Sequence, residues 1–314
     1  MKRSTVLRAL FEGKDPFIGV AVSLAIHGLM AERAGFQALF VSGAYTAGHL
    51  LGMPDAGLIT MSELVQNTRY ICDATSLPVL VDCDTGFGNA INVRRTVHDI
   101  VKAGAAGVFI EDQVAPKRCG FVKGKEVVPL EEAVGKYRAA VDARNEIDPD
   151  VVVMARCDAR GAVGGSVDEC VKRLRAYRAA GADVLYAEAL QSMDEVRAVR
   201  ARVEGPLFVT TMAIRPQPTL EELAAAGVNA GLIFLPHVGL TAMWDMLVDV
   251  RKRGLEAWNE YVDRTRDHPL GNFRVFDLTG FPKVREWEER YLSPERLAKY
   301  DQSIGAYEPE RRAP

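Results

Sequence analysis

Several short apolar runs of the chain end abruptly in ionisable side chains, and such ends are where chemistry is to be expected. Val79 to Val81 leads into Asp82-Cys83-Asp84, and Val108 to Ile110 leads into Glu111-Asp112. Val151 to Ala155 leads into Arg156-Cys157-Asp158, and Val184 to Ala187 into Glu188. Side chains two apart on a strand share a face, so Asp82 and Asp84 repel each other unless a cation lies between them. Glu111 adds a third acid. An all-oxygen donor set with no histidine or thiolate cluster selects a hard cation, which makes Mg2+ the expected occupant and Mn2+ its substitute. The bland alternative is that these acids only cap the helices that follow. Arg156, buried at a strand end, needs an anion. Asp158 offers one locally, and a substrate carboxylate gripped by two parallel bonds offers another. Glu188 is a candidate proton-transfer group at the same mouth.

A long polar loop, Gln113 to Glu126, follows the Glu111 run, and loops of this length on a compact scaffold are usually functional. Its single thiol, Cys119, is flanked by Lys117 and Arg118, an electropositive setting expected to lower its pKa and allow proton exchange near neutrality. The other four cysteines, Cys72, Cys83, Cys157 and Cys170, read as small buried hydrophobes. Five scattered cysteines with no close pair oppose a disulfide framework or a zinc knuckle, and reduced thiols are expected.

The elements that must hold these residues form a repeat. A helix ending in Ala-Gly precedes a short apolar strand at Ala34-Gly35, Ala103-Gly104, Ala180-Gly181 and Ala226-Gly227. Glycine past a helix end closes the last turn in the left-handed region, and an apolar run without alternation suits a parallel strand buried on both faces. Adding Ile18 to Ser23, Val79 to Asp84, Val151 to Arg156 and Leu207 to Thr211 makes eight strands alternating with helices, a (β/α)8 barrel over residues 1–254. A doubly wound sheet is the structural alternative. Residues 255–314 form a C-terminal helical extension whose aromatic residues, Trp258, Phe273, Phe281 and Trp287 among them, have no barrel position to fill. This extension is expected to pack on another subunit, with a helical cap on its own barrel as the alternative. Residues after about Ala306 are expected to be disordered.

With 39 basic against 42 acidic residues, a net charge of −3 and no basic run, the composition argues against nucleic acid or an anionic membrane as partner. The apolar stretch Phe17 to Ile26 is too short to cross a bilayer, and charges at Arg8, Glu12, Lys14 and Asp15 interrupt any apolar core of a secretory signal. A cytoplasmic protein is expected. Gly161 to Ser166 fits neither common phosphate-loop pattern and reads as a βα loop. His237, at the end of the eighth strand, is the one histidine placed to reach a pocket.

Taken together, Val81-Asp-Cys-Asp-Thr-Gly-Phe-Gly-Asn, Phe109-Ile-Glu-Asp-Gln, Pro116-Lys-Arg-Cys-Gly, Ala155-Arg-Cys-Asp-Ala and Ala187-Glu-Ala resemble the isocitrate lyase and phosphoenolpyruvate mutase superfamily. The resemblance spans nearly the whole chain, including Phe40-Val-Ser-Gly43 and Leu51-Gly-Met-Pro-Asp55. The Lys-Arg-Cys-Gly loop is most similar to the carbon–carbon lyases acting on methylisocitrate and on 2-alkylmalates such as 2,3-dimethylmalate. The resemblance implies that Asp82, Asp84 and Glu111 hold Mg2+ directly or through water, with Asp55 an acid standing close by. It implies that Ser42, Gly43 and Ala44 receive the 2-oxo-acid end together with Asp82, and that Arg156 clamps its carboxylate. Cys119 protonates the carbanion left by cleavage, Lys117, Arg118 and Glu188 tune it, and Gln113 to Val128 closes as a lid. A homotetramer with exchanged C-terminal helices is implied as well.

The departures fall in one half of the pocket. Methylisocitrate lyases carry a tyrosine at Phe40, so the base is unassigned. Phe121 stands where a histidine follows Cys-Gly, and Thr210 to Arg215 replaces an asparagine-containing segment. Gly120, Phe121 and Thr210 are therefore expected to line a rebuilt distal pocket, with Arg215 either a relocated carboxylate contact or a surface residue. The expected activity is cleavage of a 2-hydroxy di- or tricarboxylic acid to pyruvate or glyoxylate plus a carboxylic acid unlike succinate. The alternatives are oxaloacetate decarboxylation, phosphonopyruvate processing, or a dicarboxylate-binding barrel without turnover.

Overall fold

Parallel strands buried on both faces must be covered by helices outside and by their own side chains inside, and this chain meets both demands. The computed structural model describes residues 1–308. Eight strands close a parallel barrel in chain order. They are β1 (Phe17–Val22), β2 (Ala38–Val41), β3 (Val79–Asp82), β4 (Gly107–Glu111), β5 (Val152–Cys157), β6 (Val184–Ala187), β7 (Leu207–Val209) and β8 (Ala230–Phe234). The barrel inferred from the repeat is thus the observed architecture. The helices up to β8 are α1 (Arg3–Glu12), α2 (Ala25–Arg33), α3 (Gly43–Leu51), α4 (Met61–Ala74), α5 (Ala90–Lys102), α6 (Leu130–Ile147), α7 (Val167–Ala179), α8 (Met193–Arg200) and α9 (Leu220–Ala225). The four glycines of the Ala-Gly repeat all adopt positive φ, as a left-handed helix stop requires.

Two apolar clusters divide the packing. One lies between the strands and the surrounding helices, and the other fills the barrel with Phe40, Leu80, Phe109, Met154, Tyr186 and Phe208. Helix α1 adds fully buried Leu7 and Phe11 to this inner cluster, each worth roughly 1.5–3 kcal/mol of burial. Cys72, Cys83, Cys157 and Cys170 are buried and free, as expected of small core residues.

The contacts divide the chain into a unit Met1–Pro236 and a unit His237–Pro314. The helix after β8, α10 (Leu235–Arg253), lies almost wholly in the second unit with α11 (Leu255–Arg264), α12 (Val275–Leu278), α13 (Phe281–Tyr291) and α14 (Pro294–Ala298). A boundary at 254 assigns α10 to the barrel, whereas the contacts group it with the extension. Tyr307, which the sequence places in a disordered end, packs its ring against Phe276 and Phe281. The rest of that expectation concerns residues 309–314, which lie outside the described residues. Among the described residues no helix is long and apolar enough to cross a membrane.

Candidate active site

Strand β3 stops at Asp82, and the next two residues turn. Asp84 sits at φ 47°, a left-handed conformation that costs of order 1–3 kcal/mol in a non-glycine residue. Strand alternation is therefore not what brings the two acids together. The turn does so, and the Asp84 amide donates to Asp82 Oδ1 at 3.1 Å while the Gly43 amide donates to Oδ2 at 3.2 Å. Gly43 opens α3, whose N-cap is Ser42, and a Cβ at Gly43 would lie only 2.9 Å from Asp82 Oδ2. The Ser-Gly pair is thus shaped by close approach to the acids.

The cation among these acids is Lys117. Its ammonium lies 2.9 Å from Asp84 Oδ1 and also contacts Asp55, and its side chain is 2% exposed. Burial opposes its charge, but Glu111, Asp84, Asp82 and Asp55 together hold it well above the ordinary lysine value. Burial pushes the acids up: Asp82 to about 6, with Asp84 and Glu111 also raised, against the attraction of Lys117 and Arg156. Neither Glu111 oxygen accepts a hydrogen bond, and Asp84 Oδ1 has only its ion pair. Buried carboxylates left so short of partners, all oxygen donors, suit a hard cation. Among the described residues no three acidic, histidine or cysteine side chains stand as a ready-made ligand set.

Arg156 meets both local acids. Its guanidinium donates to Asp158 at 2.8 and 3.0 Å, and Nη1 lies 3.2 Å from Glu111 Oε2. The expected Arg156–Asp158 pairing is present. Asp112, read as another strand-end acid, turns away to Tyr177, Arg173 and the Asp158 amide.

The loop after β4 folds over the strand ends. Cys119 N donates to the Asp55 carbonyl at 3.1 Å. Gln113 accepts from the Arg118 amide and donates to the Arg118 carbonyl and Asp158, while Lys125 grips the Gly120 carbonyl. Gln113 and Lys125 escaped the sequence reading, since nothing in the order of a polar loop says which of its residues fold inward. Arg118, expected to tune Cys119, has an exposed side chain that does not line the cavity. The electropositive account of Cys119 is corrected. Burial pushes its thiol above the ordinary value, outweighing the Phe121 amide, Lys117 and Arg156.

These pieces enclose a cavity of about 160 Å3. Ser42, Ala44, Asp55 and Asp82 line it together with Cys119, Gly120, Phe121, Arg156, Glu188 and Thr210. Arg156 is the only basic residue in this lining. The rest of the wall is largely apolar, with Phe109, Phe208, Met212, Leu232 and Phe234, and Tyr45 and Tyr186 add two phenols that the sequence reading missed. Tyr186 was legible only as part of an apolar run. Arg215 does not reach the cavity and donates to the carbonyls of Met212 and Ile214. His237 falls in the second unit.

A closed eight-stranded barrel with acids and an arginine at the strand ends and a cysteine on the loop above them defines a class, and comparison with known proteins agrees. The family model described as phosphoenolpyruvate phosphomutase matches residues 7–251. The 2-methylisocitrate lyase of Aeropyrum pernix is 38% identical over 306 residues, 95% of this chain and 94% of that protein. The 2,3-dimethylmalate lyase of Eubacterium barkeri is 35% identical over 296 residues, 93% of this chain and 99% of that protein. The crystal structure of a 2,3-dimethylmalate lyase, a PEP mutase/isocitrate lyase superfamily member, superposes with a TM-score of 0.84 at 30% identity, covering 97% of this chain and 99% of that one. A phosphonopyruvate hydrolase in complex with oxalate and Mg2+ superposes with a TM-score of 0.81 at 31% identity, covering 93% and 100%. The chain belongs to the PEP mutase/isocitrate lyase superfamily. The 2-methylisocitrate lyase and the 2,3-dimethylmalate lyase match it over nearly their whole length, and the chain is an enzyme of this lyase superfamily.

Proposed function

We propose that the enzyme is a Mg2+-dependent carbon–carbon lyase that cleaves a 2-hydroxy dicarboxylic acid with apolar substituents, of 2-alkylmalate type, to a 2-oxo acid and a carboxylic acid. One observation carries the substrate class: Arg156 is the only basic residue lining a cavity that is otherwise rich in apolar side chains, Phe121, Phe208, Met212, Leu232 and Phe234 among them. A tricarboxylate such as methylisocitrate would press a further carboxylate against this lining without a counter-charge, which is costly. Alkyl groups gain from the same burial.

Asp82, Asp84 and Glu111 would hold Mg2+, directly or through water, and it would supply Lewis-acid stabilisation of negative charge developing on the substrate. Ser42, Gly43 and Ala44 receive the 2-oxo-acid end, and Arg156 orients its carboxylate with the donors that Asp158 and Glu111 leave free. Glu188 takes the proton of the 2-hydroxyl, a role for which Phe40 offers no phenol. The O–H pair becomes the second C–O bond, the C2–C3 bond breaks with its pair left on C3, and C3 takes the proton of Cys119 Sγ. A thiol raised by burial suits this step, because it is protonated before cleavage begins. Exchange with solvent then returns the proton from Glu188 and restores Cys119.

The same reading extends to assembly and location. Ile18 of β1 and Ile233 of β8 remain 37% and 43% exposed, and in the second unit Trp244, Leu247, Trp287 and Tyr291 are exposed. Apolar surface of this extent supports packing against another subunit, and the homotetramer with exchanged C-terminal helices is the assembly that the family resemblance implies. Free cysteines support a cytoplasmic setting.

The test is a coupled assay for pyruvate and glyoxylate with Mg2+, using 2-alkylmalates, methylisocitrate, isocitrate and oxaloacetate, on wild type and Cys119→Ala. Alkylmalate turnover that disappears in Cys119→Ala and on metal chelation is the expected result. Oxaloacetate turnover that survives Cys119→Ala would instead make the protein a decarboxylase.

A further inference from the structure

Glu188 is held asymmetrically. Tyr186 Oη donates to its Oε2, and Thr210 Oγ1 donates to the same oxygen at 2.9 Å. Its other oxygen, Oε1, is buried and has no hydrogen-bond partner. That oxygen faces the lid: a Cβ on Gly120 would lie 2.6 Å from Glu188 Oε1 and 2.7 Å from Arg156 Nη2. An unpartnered buried carboxylate oxygen is costly, so one aimed at a substrate cavity beside a guanidinium calls for a functional reason.

The phenol that sets this asymmetry is itself fixed. The Tyr186 ring meets Phe208 edge-on at 4.7 Å and Phe109 at 6.0 Å, and the Arg156 guanidinium lies over it at 5.3 Å. Tyr186 lies in β6 and Glu188 directly follows its last residue, and both side chains line the same cavity. Burial and the Glu188 charge push the phenol well above its ordinary pKa, so it stays protonated and acts as a donor.

We propose that Tyr186 is a positioning residue for the proton transfer: with Thr210 it occupies Glu188 Oε2, which leaves Oε1 as the single oxygen presented to the substrate 2-hydroxyl. This rests on the reading of Glu188 as proton acceptor. The aromatic packing of the barrel interior thereby sets the direction of a catalytic carboxylate, and a phenol arriving from β6 contributes without itself exchanging a proton.

Two measurements test this, on the full-length protein with Mg2+. In the first, Tyr186→Phe keeps the ring and removes only the donor, so kcat should fall about tenfold or more with KM little changed, and Glu188→Gln should fall further. Unchanged kcat in Tyr186→Phe beside an inactive Glu188→Gln overturns the positioning role alone. Full activity in Glu188→Gln overturns the acceptor reading and the proposal with it. The second needs no substrate: the infrared carboxylate band of Glu188, assigned by its loss in Glu188→Gln, should shift in Tyr186→Phe and again in Thr210→Val. A band unmoved by Tyr186→Phe overturns the contact whatever the enzyme's substrate is.

Discussion

Lys117 places its ammonium 2.9 Å from Asp84 Oδ1, so a residue of the loop neutralises a residue of the strand-end turn. The loop that delivers Cys119 is therefore anchored electrostatically to the acids that would bind the metal. Removing one member of a buried ion pair leaves the other uncompensated, at a cost of about 3–5 kcal/mol. Lys117→Met should lower the denaturation midpoint and reduce kcat/KM about a hundredfold, since the thiol loses its register. Calorimetric unfolding and steady-state kinetics on one preparation check both, and a fully active Lys117→Met would dissociate the loop from the acids.

Gly120 sits where no side chain fits. Alanine there would bring a Cβ to 2.6 Å from Glu188 and 2.7 Å from Arg156, both held by partners of their own. Gly120→Ala should displace the loop rather than the strand ends, with KM rising and kcat falling while thermal stability changes little. Kinetics alongside a melting curve separate this from general unfolding.

Cys119 is predicted to act as an acid, not as a resting thiolate. Cys119→Ala should lose about 10²–10⁴-fold in kcat while still binding a 2-oxo acid with Mg2+, because Arg156 and the acids are untouched. At neutral pH an alkylating reagent should modify Cys119 slowly, since burial keeps it protonated. Rapid, stoichiometric modification would contradict that.

Stability should have an acid-sensitive component at His27. Burial, with His49 nearby, holds His27 at about 4, below the ordinary value of 6.5. The unfolded chain therefore takes up a proton that the folded one resists, and stability falls as pH drops from about 6.5 towards 4 and then levels off. His27→Phe should flatten that limb in melting curves recorded between pH 7 and 4.5. An unaltered pH dependence would locate the acid sensitivity elsewhere.

What the amino-acid order determines by itself is whatever depends on local spacing. The Ala-Gly stops and unalternating apolar runs specify eight βα units because each is a short-range signal, and acids that close such runs must lie at one end of the barrel. Asp82, Glu111, Arg156 and Glu188 were legible for that reason, as was the long loop carrying Cys119. Contacts between elements decided the rest. Lys117 turns inward while Arg118 beside it faces solvent, and Tyr186, one more apolar strand residue in the order of the chain, becomes the partner of Glu188. The direction of the Cys119 shift also reversed, because flanking charges are read along the chain whereas burial is a property of the closed cavity. Burial and through-space pairing, not sequence neighbourhood, set the energy of a charge.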